Sequence, residues 1–194
     1  VEAAEIVSGR AVYPSDLALP GMLHAAVLRC PHPSAVVTGI DARSAEALPG
    51  VRAVLTGASP EANLWWAYGN NVKSRLFDAR CRFEGEAVAA VAAETGAQAA
   101  AALAAIAVAY DVLAPLVDER KSLQPGAPLV HGSGNRVAPP VRYSRGDVEK
   151  GFAEADRVLE QTYRTECEIH TPLERHGCVA QWSRRTLAVW PSTQ

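Results

Sequence analysis

Four side chains of the metal-ligand type lie close together near the end of the chain. They fall within twelve residues and are Cys167, His170, His176 and Cys178. Thiolate and imidazole groups are common zinc ligands, but Cys167 and His170 are three positions apart in a strand-like segment, so they should point to opposite faces. Neither cysteine–histidine spacing matches the paired-knuckle pattern of structural zinc sites. The pattern therefore argues against zinc, and no metal ligand is assigned.

Glu174 is a nearby carboxylate that could act as a general base. A single carboxylate at a strand end more often accepts hydrogen bonds from neighbouring amide groups. The sequence contains no G-x-G-x-x-G fingerprint, no phosphate-binding P-loop and no H-E-x-x-H motif, and no nucleophile lies in an elbow context. The residues by themselves therefore assign no catalytic residue in this chain.

A β-hairpin is predicted directly after these residues. Apolar and polar side chains alternate on both sides of a polar turn at residues 183–186. The preceding residues 157–169 also alternate, which predicts a long strand with one solvent-facing side. The chain ends in Ser192-Thr193-Gln194 without a capping element. This ending indicates the N-terminal piece of a larger protein, cut within a domain.

Strand and helix patterns interleave in the upstream part of the chain. The first strand, residues 21–29, is apolar on both faces and is expected to be central in a sheet. An alanine-rich helix beginning at Thr95 permits close approach to a sheet. The order of elements predicts one compact α/β or α+β domain, and we take α+β as the fold class. The other predicted elements are strands at 36–40, 51–56, 77–83, 87–93 and 108–113 and a helix at 42–48 that follows Asp41 as its N-cap.

Two further segments have weaker patterns. Residues 57–76 are irregular, and adjacent Trp65 and Trp66 form either a contact surface or, more commonly, the cover of a small core. Residues 123–146 are rich in proline and glycine and predict a linker, because a loop of this length is unusual within a domain. A helix capped by Asp147 follows, with Phe152 facing inward. The predicted domains are 1–122 and a truncated 147–194.

Composition excludes several classes of protein. The 194 residues include 48% hydrophobic residues, enough for a core, and 19 basic against 21 acidic residues give a net charge of -2. A nucleic-acid or membrane-surface binder would carry a basic stripe. No apolar run approaches the roughly 18 residues of a membrane span, and no signal peptide is visible. Four scattered cysteines without a C-x-x-C pair predict reduced thiols in a cytoplasmic protein.

Eight segments in order resemble one known family. The sequence resembles the large, molybdopterin-binding subunit of the xanthine dehydrogenase, aldehyde oxidase and carbon monoxide dehydrogenase family, of which it corresponds to the N-terminal part. Arg175 departs from the family, which often has proline after the glutamate. The matching segments are residues 9–13, 19–29, 31–33, 49–57, 85–89, 146–149, 170–174 and 189–194.

The resemblance implies a fold and one site residue. Residues 1–122 correspond to the family's α/β hammerhead domain. Residues 147–194 correspond to the first helix and strands of a molybdopterin-binding domain. In the family, the glutamine that ends the Ser-Thr-Gln segment lies beside the molybdenum and donates a hydrogen bond to one of its oxygen ligands. That residue is Gln194 here. A side-chain amide suits this role because it donates without adding a charge.

The resemblance also implies an activity, cofactors and partners. The complete enzyme is expected to be a molybdenum hydroxylase that oxidises an aldehyde or N-heterocycle with water-derived oxygen. It would use a molybdopterin-type cofactor and pass electrons to 2Fe-2S and FAD groups on partner domains or subunits. The family's Gly-Phe-Gly segment and catalytic glutamate lie beyond the Ser-Thr-Gln segment and would come from a remaining molybdopterin-binding polypeptide. The chain by itself is therefore predicted to be inactive. The alternative is a non-catalytic docking module for the other subunits.

Overall fold

The computed structural model describes residues 3–68, 72–132, 134–136, 138–172, 174 and 176–192, except for the side chains of 65–68 and 72–73. The chain divides into two compact units. We call Gly21–Arg142 the central unit, and Val1–Pro20 together with Tyr143–Gln194 the terminal unit. No helix within the described ranges is both long and apolar enough to cross a membrane.

Short helices and antiparallel strands make up both units. The helices are α1 (Ala3–Val7), α2 (Arg43–Glu46), α3 (Gly96–Ala105) and α4 (Val148–Ala153). The strands are β1 (His24–Arg29), β2 (Ala35–Asp41), β3 (Val51–Thr56), β4 (Trp65–Tyr68), β5 (Val72–Arg75), β6 (Arg80–Cys81), β7 (Ala87–Ala93), β8 (Ala107–Val112), β9 (Cys178–Ser183) and β10 (Thr186–Pro191).

The central unit contains two three-stranded antiparallel sheets. The first has the order β1-β7-β3, and the second has the order β6-β2-β8. The prediction that residues 21–29 form a central strand was wrong, since β1 pairs only with β7 in the described sheet and is partly exposed. Strand β7 takes the central place, which explains why its small apolar residues are buried on both faces.

One core lies between the first sheet and the helices α2 and α3. Its buried members are Ala45, Ala89, Val91, Ala102 and Ile106. Alanine at the contact positions of α3 lets the helix approach the sheet closely, as the sequence predicted.

Helix α3 begins and is held by specific contacts. The hydroxyl of Thr95 accepts a hydrogen bond from the backbone amide of Gln98 at 3.2 Å, which caps the helix. Gly50 has φ of 81°, and a methyl group at this position would collide with the side-chain amide of Gln98. The Gln98 side chain is flexible and could move aside, so it is the positive φ that favours glycine in the turn after α2.

A second core connects strand β7 to the second sheet. It consists of Cys30, Ala35, Cys81 and Val88, with the partly buried Tyr110 packed against it. Strand β6, at Arg80–Cys81, is much shorter than the strand predicted at 77–83. The prediction that Asp41 is the N-cap of α2 was wrong, since Asp41 ends strand β2 and Ala42 takes the N-cap position without a side-chain cap hydrogen bond. The Asp41 carboxylate still accepts a hydrogen bond from the backbone amide of Arg43 at 3.1 Å.

The loop after the second sheet is fastened by Asn135. Its Nδ2 donates to the carbonyl oxygens of Ser122 and Pro128 at 2.8 and 3.0 Å, and its Oδ1 accepts from the Val130 amide at 2.8 Å. Arg80 adds a hydrogen bond to the Leu129 carbonyl oxygen at 3.2 Å. These contacts hold the loop against the rest of the central unit. The predicted domain boundaries at residues 122 and 147 stay a prediction.

Three further differences from the sequence expectations remain, two in the terminal unit and one in the central unit. Residues 157–169 form no strand, because the described chain offers them no pairing partner, and their side chains are exposed. Phe152 is also exposed and does not face inward. In the central unit, Trp65 and Trp66 belong to strand β4, which pairs with β5, and do not lie in an irregular loop.

Candidate functional site

The predicted hairpin of the terminal unit is confirmed. Strands β9 and β10 pair in antiparallel register from Thr186 opposite Ser183 to Pro191 opposite Cys178. Between them Arg184 has φ of 54°, the left-handed conformation that a tight two-residue hairpin turn requires.

Ser192 closes the open end of this hairpin. Its backbone amide donates to the Gly177 carbonyl oxygen at 2.9 Å, and its hydroxyl oxygen accepts from the Gly177 amide at 2.8 Å. The same hydroxyl lies 3.2 Å from the Gly177 carbonyl oxygen. The first residue of the Ser-Thr-Gln segment is thus fixed against the start of β9. Gln194, the predicted cofactor-binding residue, lies outside the described residues, and so does Thr193.

Glu174 and Thr171 are the unusual residues of the preceding segment. Glu174 Oε1 is buried and has no hydrogen-bond partner among the described residues, so this atom does not anchor a neighbouring amide there. Thr171 has φ of 36° immediately before Pro172. This conformation is unfavourable for a β-branched residue, and the following proline adds a steric restriction.

The four cysteine and histidine residues do not assemble into a metal site in the described part of the chain. No group of three or more histidine, cysteine, aspartate or glutamate side chains within these ranges has a geometry that could hold an ion. Cys167 and Cys178 are free thiols and are exposed, and His170 and His176 are exposed as well.

A buried polar cluster in the central unit escaped the sequence interpretation. Arg82 forms ion pairs of 2.5 Å with Asp78 and with Glu86, and all three side chains are largely buried. Burial lowers the pKa of the neighbouring His131, with a contribution from the charge of Arg82. In the sequence, the three charged residues are spaced four positions apart, and this spacing was the available signal for the cluster. Such spacing usually indicates ion pairs along a helix.

The buried thiol of Cys81 in the central unit is a poor nucleophile. Burial raises the pKa of the Cys81 thiol to about 12, and the interaction with the neighbouring Cys30 is the next largest cause. The thiolate is the reactive form of cysteine, so a thiol that stays protonated at neutral pH is a poor nucleophile. Burial also raises the pKa of Tyr110, whose ring packs edge-on against His32 at 5.1 Å between centroids. This cluster supports the core and is not a catalytic centre.

Two family models match the chain in succession. The model described as aldehyde oxidase and xanthine dehydrogenase, a/b hammerhead domain, matches residues 8–114. The model of the molybdopterin cofactor-binding domain matches residues 130–194. The chain belongs to the aldehyde oxidase and xanthine dehydrogenase family, and its fold is the α/β hammerhead followed by the start of a molybdopterin-binding domain, as the sequence predicted.

Individual relatives agree with this assignment. The chain is 39% identical over 177 residues to a probable xanthine dehydrogenase subunit of Bacillus subtilis (strain 168), covering 90% of this chain and 23% of the relative. It is 32% identical to the nicotine 6-hydroxylase large subunit of Paenarthrobacter nicotinovorans, covering 100% of this chain and 25% of the relative.

A solved structure matches the whole chain. Quinoline 2-oxidoreductase from Pseudomonas putida 86 superposes with a TM-score of 0.84 at 31% identity, covering 100% of this chain and 26% of that chain. This chain therefore spans about a quarter of the length of these three relatives.

Proposed function

We propose that this chain supplies the hammerhead domain and the first part of the molybdopterin-binding domain of a molybdenum hydroxylase. The observation that carries the proposal is the molybdopterin-domain match over residues 130–194, which ends at the hairpin closed by Ser192. We further propose domain limits of 1–122 and 147–194, joined by the linker 123–146.

The residues of the terminal unit fit a pterin cofactor. The buried, unpartnered Oε1 of Glu174 is an acceptor that an N–H group of a pterin would satisfy. Ser192, two residues before Gln194 in the sequence, is fixed against Gly177, and the side-chain amide of Gln194 would donate a hydrogen bond toward the cofactor without adding charge. When bound, the cofactor supplies the molybdenum that carries out the oxidation.

The proposed reaction is the oxidation of an aldehyde or N-heterocycle with oxygen derived from water. Two of the relatives described above are named for nicotine and quinoline, which favours an N-heterocycle. We assign no catalytic residue to this chain, and we expect the general base to come from a remaining molybdopterin-binding polypeptide. Electrons would pass to 2Fe-2S and FAD groups on partner domains or subunits.

The cysteines bear on two parts of the proposal. All four are unpaired in the structure, which supports a reducing compartment and hence a cytoplasmic location. They lack the close spacings that iron–sulfur clusters need, so we place those clusters on partners.

The alternative function is a non-catalytic docking module for the flavin or iron–sulfur partners. It is favoured by the two apolar cores of the central unit, which are built from that unit's own side chains. The two functions differ in whether molybdenum accompanies the chain.

Intact mass and metal content of the native assembly test the proposal. We expect stoichiometric molybdenum together with polypeptide that carries the Gly-Phe-Gly segment, and no turnover of an aldehyde or purine by the 194-residue chain alone. Assembly without molybdenum would refute the proposed function and leave the docking module. Turnover by the isolated chain would refute the statement that its catalytic residues lie elsewhere.

A further inference from the structure

Two free thiols meet in the second core of the central unit. Cys30 is 1% exposed and Cys81 is 0% exposed, and both belong to the same cluster of buried side chains. The two side chains also interact directly, because Cys30 is, after burial, the next largest cause of the raised pKa of Cys81. The proposed function uses neither thiol, so the pair is open to another role.

Different strands bring the two thiols together. Cys30 directly follows β1, and its amide donates to the Glu86 carbonyl oxygen at 2.8 Å while its carbonyl oxygen accepts from the Gly85 amide at 2.8 Å. Cys81 lies in β6, opposite Ala35 of β2. Strand β1 belongs to the first sheet and β6 to the second. A bond between the two sulfur atoms would therefore join the two sheets of the central unit.

The surroundings of the pair suit a disulfide. The neighbouring Ala35 and Val88 offer no polar side-chain group to either sulfur atom. The Cys30 thiol donates to the carbonyl oxygen of His32 at 3.5 Å, which is a weak interaction because a thiol is a weak donor. A disulfide has no donor that burial would leave unpaired, so loss of the two S–H protons costs this apolar core little hydrogen bonding.

We propose that Cys30 and Cys81 are a redox-sensitive pair that closes to a disulfide on reaction with a low-molecular-weight disulfide such as oxidised glutathione. One cysteine sulfur attacks the reagent and displaces one of its thiols, and the second cysteine sulfur then displaces the other. Both cysteine sulfurs are oxidised, the S–S bond of the reagent is broken, and the two S–H protons end on the two released thiols. The new bond cross-links the end of β1 to β6 and encloses residues 31–80.

Burial makes this reaction slow without setting its equilibrium. Both sulfur atoms are buried, and the protonated thiol of Cys81 is a poor nucleophile. Strand β6 has 2 residues, so we expect its local opening to expose Cys81 to the reagent. The equilibrium depends instead on how closely the folded chain holds the two sulfur atoms, compared with the unfolded chain. The equilibrium constant is therefore the quantity that tests the pair.

Oxidation of the full 194-residue chain in glutathione buffers measures this equilibrium. Cys167→Ser and Cys178→Ser are introduced together, because these exposed thiols would otherwise form mixed disulfides. At each ratio of reduced to oxidised glutathione, peptide mapping without reduction quantifies the disulfide between Cys30 and Cys81, both in native buffer and in denaturant. We expect its equilibrium constant to be at least about tenfold larger in the native chain.

The same preference should appear in stability. Because the folded state favours the disulfide, the oxidised chain should unfold at a higher denaturant concentration than the reduced chain, and a reductant should restore the original midpoint. Cys30→Ala and Cys81→Ala are matched controls, since each retains a single thiol of the pair. Oxidised glutathione should not raise the unfolding midpoint of either variant.

Two results would overturn the redox-sensitive pair. They are an equilibrium constant in the native chain that is no larger than in denaturant, and an unfolding midpoint that the disulfide leaves unchanged or lowers. Either result would mean that the folded core holds the sulfur atoms in a geometry that a disulfide adopts only with strain. Both measurements use the chain that retains Cys30 and Cys81, so the decision does not depend on whether the alanine variants fold.

Discussion

The two units of this chain differ in whether they contain a core. Each described residue that is fully buried lies in the central unit, and the described part of the terminal unit contains none. Both units nevertheless carry alternating apolar patterns. The difference shows that an apolar pattern becomes a buried strand only where the chain also supplies the surface that covers it.

The central unit supplies that cover from its own sequence. Strand β7 is paired on both sides, and α3 packs over its sheet with small side chains. In the terminal unit, the hairpin and residues 157–169 are left with exposed apolar side chains. The comparison therefore separates a unit that buries apolar cores of its own from a unit whose described apolar side chains stay exposed or half-buried.

The largest expected contrast is in thiol reactivity. Cys30 and Cys81 are buried in the central unit, whereas Cys167 and Cys178 are exposed in the terminal unit. A water-soluble disulfide reagent should therefore modify two thiols at least about a hundredfold faster than the other two, since burial limits access to Cys30 and Cys81 and the raised pKa of Cys81 further lowers its thiolate fraction. Mass spectrometry of the labelled peptides identifies them. Equal rates for all four in the native protein would remove the distinction, while equal rates in denaturant are the control.

A matched pair of isoleucine substitutions probes packing. Ile106 is 8% exposed in the central core, and Ile169 is 80% exposed in the terminal unit. Ile106→Ala should lower the free energy of unfolding by about 2–5 kcal/mol because it leaves a cavity. Ile169→Ala should change it by less than about 0.5 kcal/mol. Denaturant unfolding measures both, and a large loss for Ile169→Ala would mean that the terminal unit contains a core of its own.

The extent to which the sequence predicted the structure follows the same division. Strands β3 and β7 were predicted with their observed limits, and Thr95 caps α3 as expected, because these elements are specified by local pattern and covered within the chain. Residues 157–169 and Phe152 were mispredicted because periodicity reports which side chains need burial and not whether a partner is present.

The site was predicted from family resemblance more than from physical pattern. The hairpin and its limits followed from alternation, but the hydrogen bonds between Ser192 and Gly177 have no signal in the sequence pattern. The buried carboxylate oxygen of Glu174 and the strained Thr171 were also not predictable, because both depend on long-range surroundings. The role of Gln194 stays a prediction.

Alkaline pH should destabilise the central unit through Cys81. Burial raises the pKa of this thiol from its ordinary value of 9.0 to about 12 in the folded protein. The stability contribution is therefore complete below pH 9.0 and is lost as the pH rises toward 12, because only the unfolded chain then ionises readily. Denaturant midpoints measured between these limits should fall less steeply in Cys81→Ala. Cys178→Ala, which removes an exposed thiol, should keep the original slope, and a flattened slope there would contradict the assignment to Cys81.

The smallest contrast concerns two helix caps with the same geometry. Thr95 accepts from the amide of Gln98 in the central unit, and Asp147 accepts from the amide of Lys150 in the terminal unit, at 3.2 and 3.0 Å. Thr95→Ala should reduce the free energy of unfolding by about 1 kcal/mol, because α3 is part of the core. Asp147→Ala removes an equivalent bond from an exposed helix, so it should speed local amide exchange in Val148–Ala153 without moving the cooperative transition. If Asp147→Ala instead lowers the same unfolding midpoint as Thr95→Ala, the two units unfold together. The Asp147 cap would then contribute to the same cooperative unfolding transition as the Thr95 cap, although its helix is exposed.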